Sequence, residues 1–115
     1  MGKVGLLTTT WAGYFETFGM TEFKNAILED ARTVGEALKQ RCDLVHPGLV
    51  ADRSDVDRAL SFFRNADIEL LILCELGYTD SWIPLSVIEN FERTPLLIWM
   101  YKPTRALPCD YEGMM

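Results

Sequence analysis

Short unbroken apolar runs alternate along this chain with longer stretches whose apolar residues recur every three or four positions. The first run, Lys3–Thr9 (KVGLLTT), suits a strand buried on both faces. Thr21 reads as an N-cap, and a helix is predicted over 21–40, with Phe23, Ile27, Ala31, Val34 and Leu38 on one stripe. Gly35 inside that helix points to close packing against another backbone. Residues 42–46 (CDLVH) form a second strand, ended by Pro47-Gly48. Ser54 then caps a second helix to about residue 66, burying Val56, Ala59, Leu60 and Phe63. Residues 68–74 (IELLILC) make a third strand. A third helix opens at Asp80 or Ser81, accepts Pro84 in its first turn and runs to about Phe91. Residues 95–100 (PLLIWM) are the fourth strand. A long loop, 10–20, separates the first strand from the first helix, and 101–115 reads as a loop and the start of a further helix.

This βαβαβαβ order forces right-handed parallel crossovers. The expected fold is a single α/β domain over 1–115, a flavodoxin-like three-layer parallel sheet in strand order 2-1-3-4. Such folds continue to a fifth strand, so the sequence reads as truncated after the fourth. The edge that this leaves calls for cover from a missing part or a partner chain.

The 115 residues suffice for a core without staples. The net charge of −6 argues against nucleic acid or an anionic membrane as partner. No apolar run approaches the ~18 residues of a membrane span, and Met1-Gly2-Lys3-Val4 leads straight into a strand with no cleavable leader. The three cysteines, Cys42, Cys74 and Cys109, lack paired spacing and fit free thiols in a reducing cytoplasm, Cys42 and Cys74 as core residues.

In such a fold ligands bind beyond the C-terminal ends of the strands, at the switch point between the first and third. The loops meeting there carry Thr8, Thr9, Thr10, Trp11, Gly13 and Tyr14, then His46 and Gly48, then Glu75, Tyr78, Asp80 and Trp82, then Tyr101, Lys102, Thr104, Arg105 and Asp110. This rim of aromatics, hydroxyls and charges suits a polyol, whose C–H faces stack on rings while its hydroxyls meet polar groups. Each residue also has a plainer role: Trp11, Tyr14 and Trp82 as packing for loops, His46 as a hydrogen-bonded structural residue, Glu75 as a solvated or salt-bridged carboxylate, and Lys102 and Arg105 as partners of Asp110 or Glu112.

Several chemistries are excluded. Neither a dinucleotide fingerprint nor a P-loop follows the first strand. Thr8-Thr9-Thr10 stands where response regulators need acids, and Trp11 and Tyr14 interrupt any flavin phosphate loop. There is no nucleophile elbow, and one histidine cannot make a multi-histidine zinc site. A metal-dependent aldose–ketose isomerase needs converging carboxylates, usually a histidine, and an acid/base pair, a set that one histidine and scattered acids do not supply.

Three segments resemble the N-terminal domain of the L-arabinose/L-fucose isomerase family, over nearly the whole chain. LLTTTWAGYFETF (6–18) looks like the first-strand loop of the fucose-isomerase-like branch. Residues 70–84, with Trp82, are similar to the third-strand region of arabinose isomerases. TPLLIWMYKPTRALPCDY (94–111) is the most specific, with Pro95-Leu96-Leu97, Ala106-Leu107-Pro108 and Asp110 at family-like spacing. The resemblance implies a cytosolic, Rossmann-like N-terminal domain that adds side chains to a sugar pocket across a subunit interface in a homo-oligomer, a trimer or hexamer. The implied substrate is a pentose or deoxyhexose. The implied Mn²⁺ or similar divalent ion, and the acid/base residues, belong to later domains, so the chain itself carries no catalytic or metal-binding residue and is expected to be inactive alone. Trp11, Tyr14, Glu75, Tyr78, Trp82 and Lys102 are the candidate substrate-binding residues. Two departures from arabinose isomerases, Thr-Trp-Ala-Gly-Tyr in place of Gln-His-Leu-Tyr-Gly and Lys102 near a family glutamine, argue against L-arabinose itself. Two rival readings remain, a stand-alone small-ligand binding module and a protein-interaction module.

Overall fold

Seven-residue β1 (Lys3–Thr9) is the central strand of an all-parallel sheet ordered β2-β1-β4-β5, in a computed structural model that describes residues 2–16 and 18–101. Its flanks are β2 (Asp43–Val45) on one side and β4 (Leu70–Glu75) on the other, with β5 (Leu96–Ile98) outside β4. A two-residue strand, β3 (Leu49–Val50), pairs with Thr8 and Thr9. The four expected strands, here β1, β2, β4 and β5, thus keep their expected sequence across the sheet, and the correction is the short fifth strand β3, which lies off this path. The reason is length: β2 pairs only Lys3 to Gly5, and the chain resumes the same edge after Pro47-Gly48 to serve the rest of β1.

The helices are α1 (Gly13–Glu16), α2 (Thr21–Lys39), α3 (Arg53–Ala66) and α4 (Trp82–Ile88). α2 covers one face of the sheet. Its Phe23, Ile27, Ala31 and Val34 pack with Leu6, Ile72, Cys74 and Leu76. α3 and α4 cover the other, where Val56, Ala59, Phe63, Ile83 and Val87 pack with Leu7, Val50, Leu71 and Leu73. Alternation along β1 thus sends Leu6 and Leu7 into opposite cores, both fully buried. Each burial of this kind contributes ~1.5–3 kcal/mol.

Several boundaries move from their expected places. Thr21 is the first helical residue and not a cap; Met20 holds the cap position and makes no side-chain bond. α3 is capped by Asp52, whose carboxylate accepts from the Asp55 N–H at 2.9 Å, two residues before the expected Ser54. Its far end turns through Asp67, which adopts the left-handed region at φ 56°. α4 stops at Ile88, short of Phe91, and α1 forms a single turn within the expected loop. Gly35 packs against a side chain and not a backbone: an added Cβ would lie 2.6 Å from Nδ1 of His46. Cys42 is half-buried, not core, and its thiol donates to the Leu38 carbonyl at 3.3 Å. Cys74 is buried, which pushes its pKa up to about 11. No helix among the described residues is long and apolar enough to cross a membrane.

Candidate functional site

β1 leads into α2 on one face and β4 leads into α4 on the other, so the C-terminal ends of these two neighbouring strands form the switch point at which sheets of this kind open a ligand crevice. Three consecutive threonines end β1 there, all fully buried. Thr8 donates to the Gly48 carbonyl at 3.2 Å and also contacts Nε2 of His46 at 2.9 Å. A hydroxyl has one proton, so Nε2 is the donor to Thr8 and Nδ1 is left unprotonated beside Gly35. Burial lowers the His46 pKa, in keeping with a neutral ring. His46 is thus a hydrogen-bonded structural residue that ties the β2–β3 junction to β1.

Thr9 Oγ1 lies 3.3 Å from Thr79 Oγ1, and the Leu76 N–H donates to the Thr9 carbonyl at 2.7 Å. These bonds draw the β4 loop across the end of β1. The Thr10 N–H donates to the Val50 carbonyl at 3.0 Å. Thr10 Oγ1 is the one buried side-chain oxygen or nitrogen among the described residues without a hydrogen-bond partner.

Next along these loops come the aromatics. Trp11 is half-buried, edge-on to Tyr78 with centroids 5.5 Å apart at 86°, and 5.9 Å from Phe18. Gly13 makes room for the indole, since a Cβ there would collide with the Trp11 ring. Gly77, at φ 73°, turns the β4 loop so that Tyr78 projects outward. Tyr78 is 56% exposed, and its hydroxyl donates to Asp80 Oδ1 at 2.8 Å. That hydrogen bond to a carboxylate raises the phenol pKa. Trp82 opens α4 on the other face, 40% exposed, with the Arg53 guanidinium 5.1 Å from its ring centroid.

The candidates therefore separate into groups. Trp11 and Tyr78 come together over the crevice. Trp82 pairs instead with Arg53 at the start of α3. Glu75, in register with Thr9 at the end of β4, is exposed. The Tyr14 side chain and Lys102 lie outside the described residues, as do Thr104, Arg105, Asp110, Glu112 and Cys109. Sequence reasoning missed Thr79 and Arg53. Arg53 sits between two cap-type residues, Asp52 and Ser54, and choosing the wrong cap hid it in the loop.

Among the described residues no three His, Cys, Asp or Glu side chains gather in a metal-binding group. The crevice can present aromatic edges beside hydroxyl and carboxylate groups. The described histidine is engaged elsewhere, its Nε2 N–H donating to the buried Thr8 hydroxyl. Comparison of the chain with protein-family models, with curated proteins and with solved structures finds no match.

Proposed function

We propose that this chain is the substrate-contacting and oligomerising N-terminal domain of a cytosolic, metal-dependent aldose–ketose isomerase-like protein, with the catalytic groups supplied from outside it. The fold is taken as flavodoxin-like, its crevice between β1 and β4 serving as the sugar-facing edge. The family reading rests on the three resembling segments quoted above. The observation that carries the sugar reading is the Trp11–Tyr78 pair, with the Tyr78 hydroxyl bonded to Asp80. The rings offer an apolar wall for sugar C–H groups, and the phenol–carboxylate pair offers a donor and acceptors for hydroxyls beside it. The substrate class is a pentose or deoxyhexose.

The test is tryptophan fluorescence titrated with pentoses and 6-deoxyhexoses, with Mn²⁺ assays run alongside. The expected result is a weak saturable change near about millimolar sugar, lost in Trp11→Ala, with no aldose–ketose conversion. A flat titration in the folded chain removes the sugar reading, and conversion by this chain alone overturns the non-catalytic one. A second reading, a protein-interaction module, is favoured by one observation: Leu96, Leu97 and Ile98 are 41%, 52% and 63% exposed although they form a sheet strand.

A further inference from the structure

The two outer edges of the sheet differ in how their backbone is answered. On the β2–β3 side, Arg58 donates to the carbonyls of Pro47 and Leu49 at 3.2 and 3.1 Å, and Asp55 accepts from the Ala51 N–H at 3.0 Å. On the β5 side, the Leu71 N–H donates to Pro95 and the Trp99 N–H to Leu73, so residues 95, 97 and 99 face β4. By alternation the N–H and C=O groups of Leu96 and Ile98 turn outward, and among the described residues no strand takes them up. The usual guards of an edge are missing as well. Residues 94–101 (TPLLIWMY) carry no charge, and the proline stands before the strand, not in it.

We propose that β5 is a self-pairing edge, which joins a second copy of this chain antiparallel about a two-fold axis at Leu97. In that register Leu96 of one copy exchanges both backbone hydrogen bonds with Ile98 of the other, and Leu97 meets its own counterpart. The pairing is self-complementary side chain by side chain. Leu96 and Ile98 share the face of α3 and α4, and Leu97 lies on the face of α2, so each exposed side chain gains an apolar neighbour across the axis. Charge favours a second copy here over other self-contacts. In a chain of net charge −6, the 94–101 segment lets two copies approach without opposing carboxylates. The inference rests only on the oligomerising part of the function proposed above. A dimer that ignores sugar keeps it and removes the sugar reading, while a sugar-binding monomer does the reverse.

The test is sedimentation equilibrium of the full chain with two kinds of variant. Wild type is expected to show a concentration-dependent dimer. Ile98→Pro deletes an N–H that β4 does not use, and by symmetry it removes two intermolecular hydrogen bonds, so dimerisation should weaken about thirtyfold while circular dichroism stays unchanged. Leu97→Cys places thiols on the axis, at a non-hydrogen-bonded pair with Cα atoms about 4.5 Å apart. It should give a covalent dimer under mild oxidation that neither wild type nor Leu96→Cys gives. A wild-type monomer at all concentrations, an Ile98→Pro dimer of unchanged affinity, or cross-linking by Leu96→Cys in place of Leu97→Cys overturns the proposal. The cross-link decides the matter even if the proline variant fails to fold.

Discussion

On the β2–β3 side of the sheet, a guanidinium and a carboxylate occupy polar groups of the outer backbone, and a half-buried imidazole ties that side to the Thr8 hydroxyl of β1. On the β5 side, three aliphatic side chains stand exposed beside backbone groups that nothing described takes up. Both sides belong to one sheet and lie one strand apart from the same core. The difference shows that apolar sequence and burial are separate properties. β1 and β5 are both aliphatic, yet β1 is covered by α2 below and by α3 and α4 above, and β5 lies beyond the reach of these helices. A parallel strand is buried only when its crossovers pack over it.

The largest expected effect sharpens this contrast directly. Leu7→Ala, at a fully buried position of β1, should cost ~2–5 kcal/mol in denaturant unfolding. Leu97→Ala, the same chemical change on β5, should cost under ~1 kcal/mol in dilute chain. Equal losses would mean that β5 is covered in solution.

Next in size, Arg58→Ala unseals the guarded edge. It removes two hydrogen bonds to carbonyls and the 2.7 Å ion pair with Asp55. Because the guanidinium is substantially exposed, the expected loss is about 1 kcal/mol, read as a lower midpoint at unchanged slope. No loss would show that water serves these carbonyls equally well.

The four strand runs were legible as unbroken apolar stretches between turn and helix signals, and α2 because its stripe spans several helical turns. The single-strand step of β3 was not: two residues carry no period, and what recruits Leu49 and Val50 is the length of β1, a property of a different segment. The cap of α3 was ambiguous because Asp52 and Ser54 both qualify, and only backbone geometry chooses between them. The crevice was legible in outline, since strand ends collect their loops by topology. The partition of its aromatics was not, because the Arg53–Trp82 and Trp11–Tyr78 contacts join distant parts of the chain. The exposure of β5 was hinted at by the absence of a covering element and not by anything in its own residues.

The guarded edge also has a proton dependence that the open edge lacks. His46 is flanked by Thr8 of β1 and Gly35 of α2, beside a cleft of about 250 Å³ that Arg32, Glu36 and Lys39 line. Its folded pKa lies below the ordinary value of 6.5, so the folded chain binds the proton less readily than the unfolded chain. Its stabilising contribution is full above that ordinary value and is lost as pH falls through the folded pKa. Wild type should therefore lose stability on acidification from neutrality more steeply than His46→Gln, and identical pH profiles would contradict a half-buried neutral ring.

The smallest effect is expected at the open edge. Ile98→Lys, at a position 63% exposed, should leave the dilute chain within ~0.5 kcal/mol of wild type.

Amide hydrogen exchange followed residue by residue in dilute and concentrated chain tests the contrast between the edges most directly. In dilute chain the Ala51 N–H, held by Asp55, and the Trp99 N–H, held by Leu73, should be protected. The Leu96 and Ile98 N–H groups should exchange at nearly unprotected rates, and should slow as concentration rises. Protection of Leu96 and Ile98 equal to that of Trp99 at the lowest concentration would contradict an open β5 edge.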